Sequence, residues 1–342
     1  GILLNVSASS VEGLNLYGDN FYFIKRHLTA IILGAIIFNI LKNLNINFIE
    51  KFSSISMVFI TTTLFLVLTY GIVVGGSRRW IDLGIVNFQP SELAKPLIIL
   101  WVAKQISNDI TEDTDLKKFV RSIFLPLLCA FLVLLEPDYG TFASICFILF
   151  SQIFFSKIKI IYPSLTIFAS ILPLYFVATS SEYRLSRIET WLSRKCDLGI
   201  DLLGDCFQLN QSRIAISSGG LFGLGPGTSR ARWGSLPNSY SDFISSIIGE
   251  EYGFFGLFLL VLAFFILIST TFLIAIREKN EIKKLISVGF GSWIFFQTVI
   301  NLGGAVGIVP ITGIVLPFVS YGSSAMISIF IALGIMYSRD YE

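Results

Sequence analysis

A single acidic residue, Asp242, lies in the tract NSYSDFISS just before a long apolar stretch. A carboxylate at the edge of an apolar segment is partly desolvated, so it is suited to remove a proton as a general base. Aspartate is also common at helix N-termini, where its side chain accepts hydrogen bonds from free backbone amides. Residue type and position therefore favour a catalytic base and a helix cap equally.

Glycines, arginines and a pair of glutamates surround this aspartate in the polar segment 208–256. The tract SGGLFGLGPGTSR has five glycines, which allow a phosphate to approach the backbone, and arginine binds phosphate bidentately. No GK[ST] sequence follows, which disfavours a nucleotide-driven pump. The alternative is that the arginines pair with local carboxylates such as Asp197. The predicted substrate-binding residues of this segment are Gln211, Arg213, Ser229, Arg230, Arg232, Glu250 and Glu251.

Other polar motifs occur where further apolar segments end. In FQPSELAK, Glu92 and Lys95 are three residues apart and share a helical face, which fits a structural ion pair or a functional site. In LEPDYGT, two acids flank a proline and either bind a cation, orient an arginine or form a solvated turn. The tract VLPFVSYGSS indicates irregular backbone that lines a cavity. These motifs add Arg78, Arg79, Asp138, Ser320, Tyr321 and Ser323 to the predicted substrate-binding residues.

The composition identifies the elements that must position these residues as membrane-spanning helices. The chain has 342 residues, of which 54% are hydrophobic and 14% charged, whereas soluble domains are about 25% charged. Residues 1–13 read as the end of a first helix whose beginning is absent. With it, the sequence predicts a single all-α polytopic domain, 1–342, of ten transmembrane helices. The other nine are predicted at 21–41, 53–74, 93–106, 119–135, 141–155, 160–179, 247–276, 285–309 and 320–337.

The distribution of lysines predicts the orientation of these helices. Nearly all lysines of the short loops fall on one side, which the positive-inside rule assigns to the cytoplasm. The large loop 180–246, between helices seven and eight, is then extracytoplasmic. Cys196 and Cys206 both lie in it, where a disulfide persists, although two free thiols are the alternative. The sequence has one histidine, His27, and no zinc-type constellation.

Taken together, these motifs resemble those of the SEDS family of bacterial membrane glycosyltransferases, FtsW and RodA. The matching sequences run in the family's order along nearly the whole chain, and the SASSVE and GLGPGTSR tracts are more similar to the division members than to the elongation members. The chain has Asn238 and Tyr240 where the family often has Glu and His. The matches are RRWIDLG, FQPSELAK, EPDYGT, QSRIAISSGGLFGLGPG, LPNSYSDF, GEEYGFFG and ITGIVLPFVSYGSS.

The resemblance implies ten transmembrane helices, a large extracytoplasmic loop and an essential aspartate at Asp242. It implies polymerisation of lipid II into glycan strands at the division septum, in the bacterial cytoplasmic membrane. The expected partners are lipid II, the growing glycan strand, a class B penicillin-binding protein, other divisome proteins and membrane lipids, with no nucleic acid. No cofactor is certain, and a divalent cation, Mg²⁺ or Mn²⁺, is the candidate.

Three other functions fit parts of the sequence. A transporter that flips lipid II uses the same ligand, and Glu92 and Lys95 fit its path as well as they fit a structural pair. Transport gives no particular reason for Asp242 at the edge of an outer loop. A RodA-like polymerase for elongation shares the chemistry, and a scaffold for divisome proteins explains the polar loop least well.

Overall fold

The computed structural model describes residues 1–74, 77–82, 87–109, 116–156, 158–159, 161–179, 189–200, 204 and 206–340. These residues divide into two compact units, and the single domain predicted from the sequence stays a prediction. The first unit comprises Gly1–Thr29, Phe176–Leu267 and Gln297–Gly322. The second comprises Ala30–Tyr175, Ile268–Phe296 and Ser323–Glu342.

Most of the described residues are helical, as the sequence predicted. Each predicted apolar segment overlaps one helix, because an apolar run this long must satisfy its backbone hydrogen bonds internally. The α-helices, numbered in chain order, are α1 (Ile2–Tyr17), α2 (Tyr22–Asn43), α3 (Ile46–Tyr70), α4 (Pro90–Asp109), α5 (Leu116–Leu135), α6 (Tyr139–Phe154), α7 (Ile161–Thr179), α8 (Phe207–Ser218), α9 (Ile244–Arg277), α10 (Glu281–Val306) and α11 (Ser323–Met336).

Four of these helices, among the residues described, are long and apolar enough to cross a membrane: α2, α3, α9 and α10. Shorter apolar stretches lie in α5, α6, α7 and α11. Within the second unit, α4 packs against α3, α6 and α11. The chain is therefore a multi-pass membrane protein.

A small antiparallel sheet corrects the all-α prediction. Its strands are β1 (Ile72–Val74), β2 (Ser77–Asp82) and β3 (Asn87–Phe88), in the order β1-β2-β3. The third predicted segment, 53–74, therefore extends too far, because α3 ends at Tyr70 and Gly71 is extended. The β-branched residues Ile72 and Val73 favour a strand once the helix has ended.

The predicted large loop, 180–246, contains regular structure of its own. Helix α8 lies within it, followed by a 3₁₀ turn at Ala231–Trp233 that contacts α1 in the first unit. Residues 180–188, 201–203 and 205 of this predicted loop lie outside the described residues.

Candidate functional site

Asp242 lies in the first unit, two residues before helix α9 begins at Ile244. Phe243, which directly precedes the helix, is almost fully buried in an apolar cluster with Leu236 and Ala305. Burial of Phe243 fixes the end of the loop, while Asp242 itself remains partly exposed. The arrangement keeps the carboxylate at the surface of an apolar core, where a bound substrate can meet it.

The backbone of the aspartate loop is held at three consecutive carbonyl groups. The Tyr321 amide donates to the carbonyl of Tyr240 (3.2 Å), and Ser320 Oγ donates to that of Ser241 (2.5 Å). Asn301 Nδ2, from α10, donates to the carbonyl of Asp242 (2.9 Å) and to that of Ile314 (2.8 Å). We call these three donors, Asn301, Ser320 and the Tyr321 amide, the backbone brace.

A glycine, Gly313, lies beside the Asp242 carboxylate. Gly313 has φ of 72°, and a Cβ added there would lie 3.6 Å from Asp242 Oδ2. Glycine adopts this left-handed conformation without steric cost and presents no side chain to the carboxylate. The tract ITGIVLP therefore shapes the surroundings of Asp242.

Aromatic rings pack around Tyr240, two residues before Asp242. The ring of Tyr240 lies 4.7 Å from that of Phe23 and 5.9 Å from that of Tyr321, measured between centroids. Burial raises the pKa of Tyr240, and nearby acidic groups, Glu12 and Asp242 among them, add to the rise. Tyr240 therefore stays neutral at physiological pH and does not compete as a base.

The two glutamates of the GEEYGFFG motif are buried and bound within the protein. Glu250 accepts hydrogen bonds from Ser229 Oγ (2.6 Å) and from the amides of Arg230 (3.0 Å) and Ala231 (3.2 Å). Glu251 Oε1 accepts one from Ser7 Oγ (2.6 Å). These contacts tie Ser229 and the two glutamates into the protein's own structure, and substrate binding by them stays a prediction.

The glycine-rich tract lies against the start of α9. A Cβ at Gly219 would lie 2.0 Å from the carbonyl oxygen of Gly249, and one at Gly223 would lie 2.1 Å from that of Glu251. These glycines therefore permit close contact with a helix backbone. The sequence predicted close approach, but to a phosphate.

The three predicted arginines of the first unit differ in their contacts. Arg213 pairs with Asp197 (2.7 Å) and donates to the carbonyl of Val306, which matches the alternative of local pairing. Arg232 donates to the carbonyl of Ser7 (3.3 Å), and Arg230 is exposed. Gln211 lies on α8 and is partly exposed.

A disulfide joins Cys196 to Cys206, with the two Cα atoms 5.3 Å apart. It closes a loop that precedes α8 and contains Asp197, the partner of Arg213. A small cavity of about 70 Å³ lies beside it, lined in part by Trp191, Arg194 and Pro310. The covalent link restrains the segment that leads into α8 and Arg213.

The remaining predicted site residues belong to the second unit. Lys95 is fully buried, pairs with Glu92 (2.7 Å) and lies 4.8 Å from the centre of the Trp293 ring. An ion pair buried this deeply, with a cation–π contact, fits the structural interpretation better than an open path. Arg78 donates to the carbonyl of Thr69 (3.1 Å).

Asp138 and Arg79 shape the turn between α5 and α6. Asp138 caps α6 by accepting a hydrogen bond from the Thr141 amide, and its second oxygen accepts one from Gln89 Nε2 (3.3 Å). Arg79 donates to the carbonyls of Glu136 and Pro137. Ser323 begins α11 and is buried. Each unit therefore contains its own polar cluster.

The carboxyl group of Glu136 gives the second unit a pH-dependent stability. Burial raises the pKa of Glu136 to about 9, Asp138 adds to the rise and Arg79 opposes it. The folded state therefore favours the protonated carboxyl group. The contribution of this group to the free energy of unfolding is complete below the unfolded pKa of 4.5 and is lost as the pH rises through about 9. We expect Glu136→Gln to flatten the decline of the unfolding midpoint between pH 6 and pH 9, measured in detergent. Parallel pH curves for the two proteins would contradict this.

Asn301 is the functional residue that the sequence reasoning missed. It is an amide within an apolar helix, and polar residues at such positions are costly unless they bind a partner. The tract VINLGG contains this polar residue within an apolar helix. The sequence did not show which residue Asn301 binds, so the hydrogen bond to the Asp242 carbonyl was not predicted.

Comparisons with known proteins show what the chain is similar to. A family model described as "Cell cycle protein", FTSW_RODA_SPOVE, matches residues 1–342. The chain is 32% identical to a probable peptidoglycan glycosyltransferase FtsW of Wigglesworthia glossinidia brevipalpis, over 100% of this chain and 90% of that protein. It is 34% identical to the protein of the same description from Buchnera aphidicola subsp. Schizaphis graminum, over 98% of this chain and 96% of that one.

Two solved structures have a similar fold. One, described as "Structural coordination of polymerization and crosslinking by a peptidoglycan synthase complex", matches with a TM-score of 0.75 and 25% identity, over 98% of this chain and 94% of that chain. The other is the rod shape determining protein RodA of Thermus thermophilus, with a TM-score of 0.68 and 25% identity, over 98% and 93% of the two chains.

Proposed function

The chain belongs to the cell cycle protein family of FtsW, RodA and SpoVE, and from this premise we propose that it is a peptidoglycan glycosyltransferase that polymerises lipid II during cell division. The observation that carries the proposal is Asp242, a partly exposed carboxylate on a loop that the backbone brace holds. A base fixed in this way suits a reaction in which a hydroxyl group must lose its proton as it attacks.

The reaction is a single displacement with inversion. The 4-hydroxyl oxygen of the acceptor lipid II attacks the anomeric carbon of the growing strand, and Asp242 takes the hydroxyl proton. The bond from the anomeric carbon to the lipid diphosphate breaks, and undecaprenyl diphosphate leaves with the bonding electrons. The α-linkage of the donor becomes a β-linkage in the product, so one base suffices.

Charge stabilisation of the leaving diphosphate is the second requirement. Among the described residues of the first unit, Arg230 is the exposed arginine of the glycine-rich tract, and Arg232 follows it. Arginine donors aimed at developing negative charge lower the barrier without a proton transfer. We assign the diphosphate to these two residues, with Arg213 as a further contact.

A divalent cation, Mg²⁺ or Mn²⁺, is the candidate cofactor. Among the described residues, no group of three or more His, Cys, Asp and Glu side chains is placed to hold a metal ion. Mg²⁺ usually binds through one or two carboxylates together with substrate phosphates. We propose that this cation enters together with the diphosphate of the lipid substrate.

The proposed location is the cytoplasmic membrane at the division septum. We propose that ten helices cross it, α1 to α7 and α9 to α11, with the segment around α8 on the extracytoplasmic side. The similarity to a peptidoglycan synthase complex supports a partner that crosslinks strands, which we propose is a class B penicillin-binding protein within the divisome.

Strand synthesis from purified lipid II tests the proposed function directly. The protein is reconstituted with and without the partner synthase, and the products are separated by length. Glycan polymers in either sample support a polymerase. Movement of lipid II across the bilayer, without polymer in either sample, would favour the transporter instead.

The arginines are expected to differ in their effect on lipid II binding. Arg230→Ala and Arg232→Ala should each weaken binding, by about 1.5–3 kcal/mol for each charged hydrogen bond lost. Arg213→Ala should have a smaller effect, because this side chain already pairs with Asp197. Affinity is measured with lipid II in detergent micelles. Arg→Lys at the same positions keeps the charge but removes the planar guanidinium group, so it tests whether bidentate binding is needed. Unchanged affinity in all three Ala variants would contradict this assignment and favour Arg78 or Arg79 as the diphosphate ligand.

A further inference from the structure

The tip of the glycine-rich tract exposes large apolar side chains. Leu221 is 61% exposed and Phe222 is 78% exposed, and Leu224 is exposed as well. We call residues 221–224 the loop tip. A soluble loop rarely exposes neighbouring large apolar side chains to water. The loop tip is therefore expected to lie in an apolar environment.

The loop tip is continuous with an apolar face of helix α9. The ring of Phe222 is stacked on that of Phe255, with the centroids 5.2 Å apart. Phe255, Phe254 and Phe258 are themselves exposed. Helix α9 is among the helices that are long and apolar enough to cross a membrane. The loop tip therefore extends a surface that already faces lipid.

The position of the helix break places this surface at the membrane boundary. Gly253 interrupts α9 with a φ of 65°, and residues 254–276 contain no charged side chain. At about 1.5 Å per residue, that stretch is roughly 34 Å long, which matches a hydrocarbon core of about 30 Å. The hydrocarbon boundary then falls near Phe254, the level at which aromatic side chains are enriched.

Four backbone hydrogen bonds join the loop to the two sides of the helix break. The amides of Leu224 and Gly225 donate to the carbonyls of Glu250 (2.9 Å) and Glu251 (3.0 Å). In return, the amides of Phe254 and Phe255, which follow the break, donate to the carbonyls of Gly220 (2.9 Å) and Leu221 (3.1 Å). Irregular backbone is tolerated at membrane depth when its polar groups are paired in this way.

We propose that residues 219–225 form a re-entrant cap on α9 whose loop tip lies among the acyl chains of membrane lipids. The glycines allow the cap to contact the helix backbone, and the reciprocal hydrogen bonds replace those that the break at Gly253 removes. Phe222 and Phe255 act together as an interfacial anchor. The cap also holds the chain that continues to Ser229 and Arg230, so it ties this part of the site to the bilayer surface.

Spin labelling in liposomes tests the proposed contact with lipid. Single variants Phe222→Cys and Leu221→Cys are made in the full chain with Cys129 and Cys146 replaced by Ala and the Cys196–Cys206 disulfide kept. Each carries a nitroxide label in vesicles of phosphatidylethanolamine and phosphatidylglycerol. Collision rates are measured with oxygen, which concentrates in lipid, and with a water-soluble nickel chelate. Phe258→Cys is the lipid-facing control, and Ser235→Cys is the control on an exposed polar loop.

We expect the ratio of oxygen to nickel collisions at Phe222 and Leu221 to approach that at Phe258 and to exceed that at Ser235. A ratio equal to that at Ser235 would place the loop tip in water and overturn the proposal. Protection from both reagents would show that protein covers it, as a second copy of the chain would, and would overturn the proposal too. The result is independent of strand synthesis, so it separates this inference from the proposed enzymatic function.

Discussion

Asp242→Asn is expected to abolish glycan-strand synthesis while the protein still folds and inserts into the membrane. The amide has nearly the same shape as the carboxylate but cannot take the proton of the attacking hydroxyl group. Loss of a general base lowers the rate by roughly 10²- to 10⁴-fold. The backbone brace binds the main-chain carbonyls of Tyr240, Ser241 and Asp242, which the substitution retains. The rate is measured with purified lipid II and the partner synthase.

Asp19→Asn provides the matched control for this variant. Asp19 also lies in the first unit, but it is a loop residue that pairs with Lys25 at the surface. Surface ion pairs contribute little, so this variant is expected to keep nearly full activity. Near-normal synthesis by Asp242→Asn would exclude the base role, and an equal loss in both variants would indicate general damage to the fold.

The helices were predictable because their cause is local. An apolar run of about 20 residues must form a helix in lipid, whatever its neighbours do. Most of the boundaries predicted from the sequence therefore lie within a few residues of those observed, as for α7 and α11. The exception is α3, which runs from Ile46 to Tyr70 where the sequence predicted 53–74. Its end was predicted too late because the hydropathy of Ile72–Val74 does not distinguish a strand from the end of a helix.

The roles of the glycines and glutamates were less predictable, because they depend on a distant partner. Gly223 and Glu251 are far apart in sequence, and their contact exists only because the tract folds back on α9. Glycines that approach a phosphate and glycines that approach a helix leave the same pattern in the sequence. The sequence identified residues that needed close packing, but it could not identify what they pack against.

The position of Asp242 was predictable from its motif, whereas the residues that hold its loop were not. The donors of the backbone brace come from α10 and from the segment before α11, some 60 to 80 residues later in the chain. Ser320 was predicted to bind substrate, which stays a prediction, and in the structure its hydroxyl group donates to the carbonyl of Ser241. Polar residues in the last motif therefore serve the aspartate loop.

Asn301→Leu is expected to lower the turnover number by about 10- to 100-fold with little change in KM. Leucine has a similar size but donates no hydrogen bond, so the carbonyls of Asp242 and Ile314 both lose their amide donor. An unsatisfied buried acceptor costs about 1–3 kcal/mol, which the loop relieves by shifting. A displacement of about 1 Å at a reacting group can cost about 10²-fold in rate. Because the substrate contacts are unchanged, the loss should appear in turnover.

Gln297→Leu distinguishes positioning from a general effect on the helix. Gln297 lies one turn earlier on α10 and is buried to a similar extent, 2% exposed against 5% for Asn301. If Asn301 acts by holding Asp242, the control keeps its turnover number, and both variants show similar unfolding midpoints.

Ser320→Ala, which removes the adjacent donor, should then cause less than additive further loss when combined with Asn301→Leu, because both substitutions release the same loop. Equal losses for Gln297→Leu and Asn301→Leu, or a raised KM with unchanged turnover, would contradict the positioning role. Asp242 therefore depends on Asn301 for its position, and the two residues should act as one unit in catalysis.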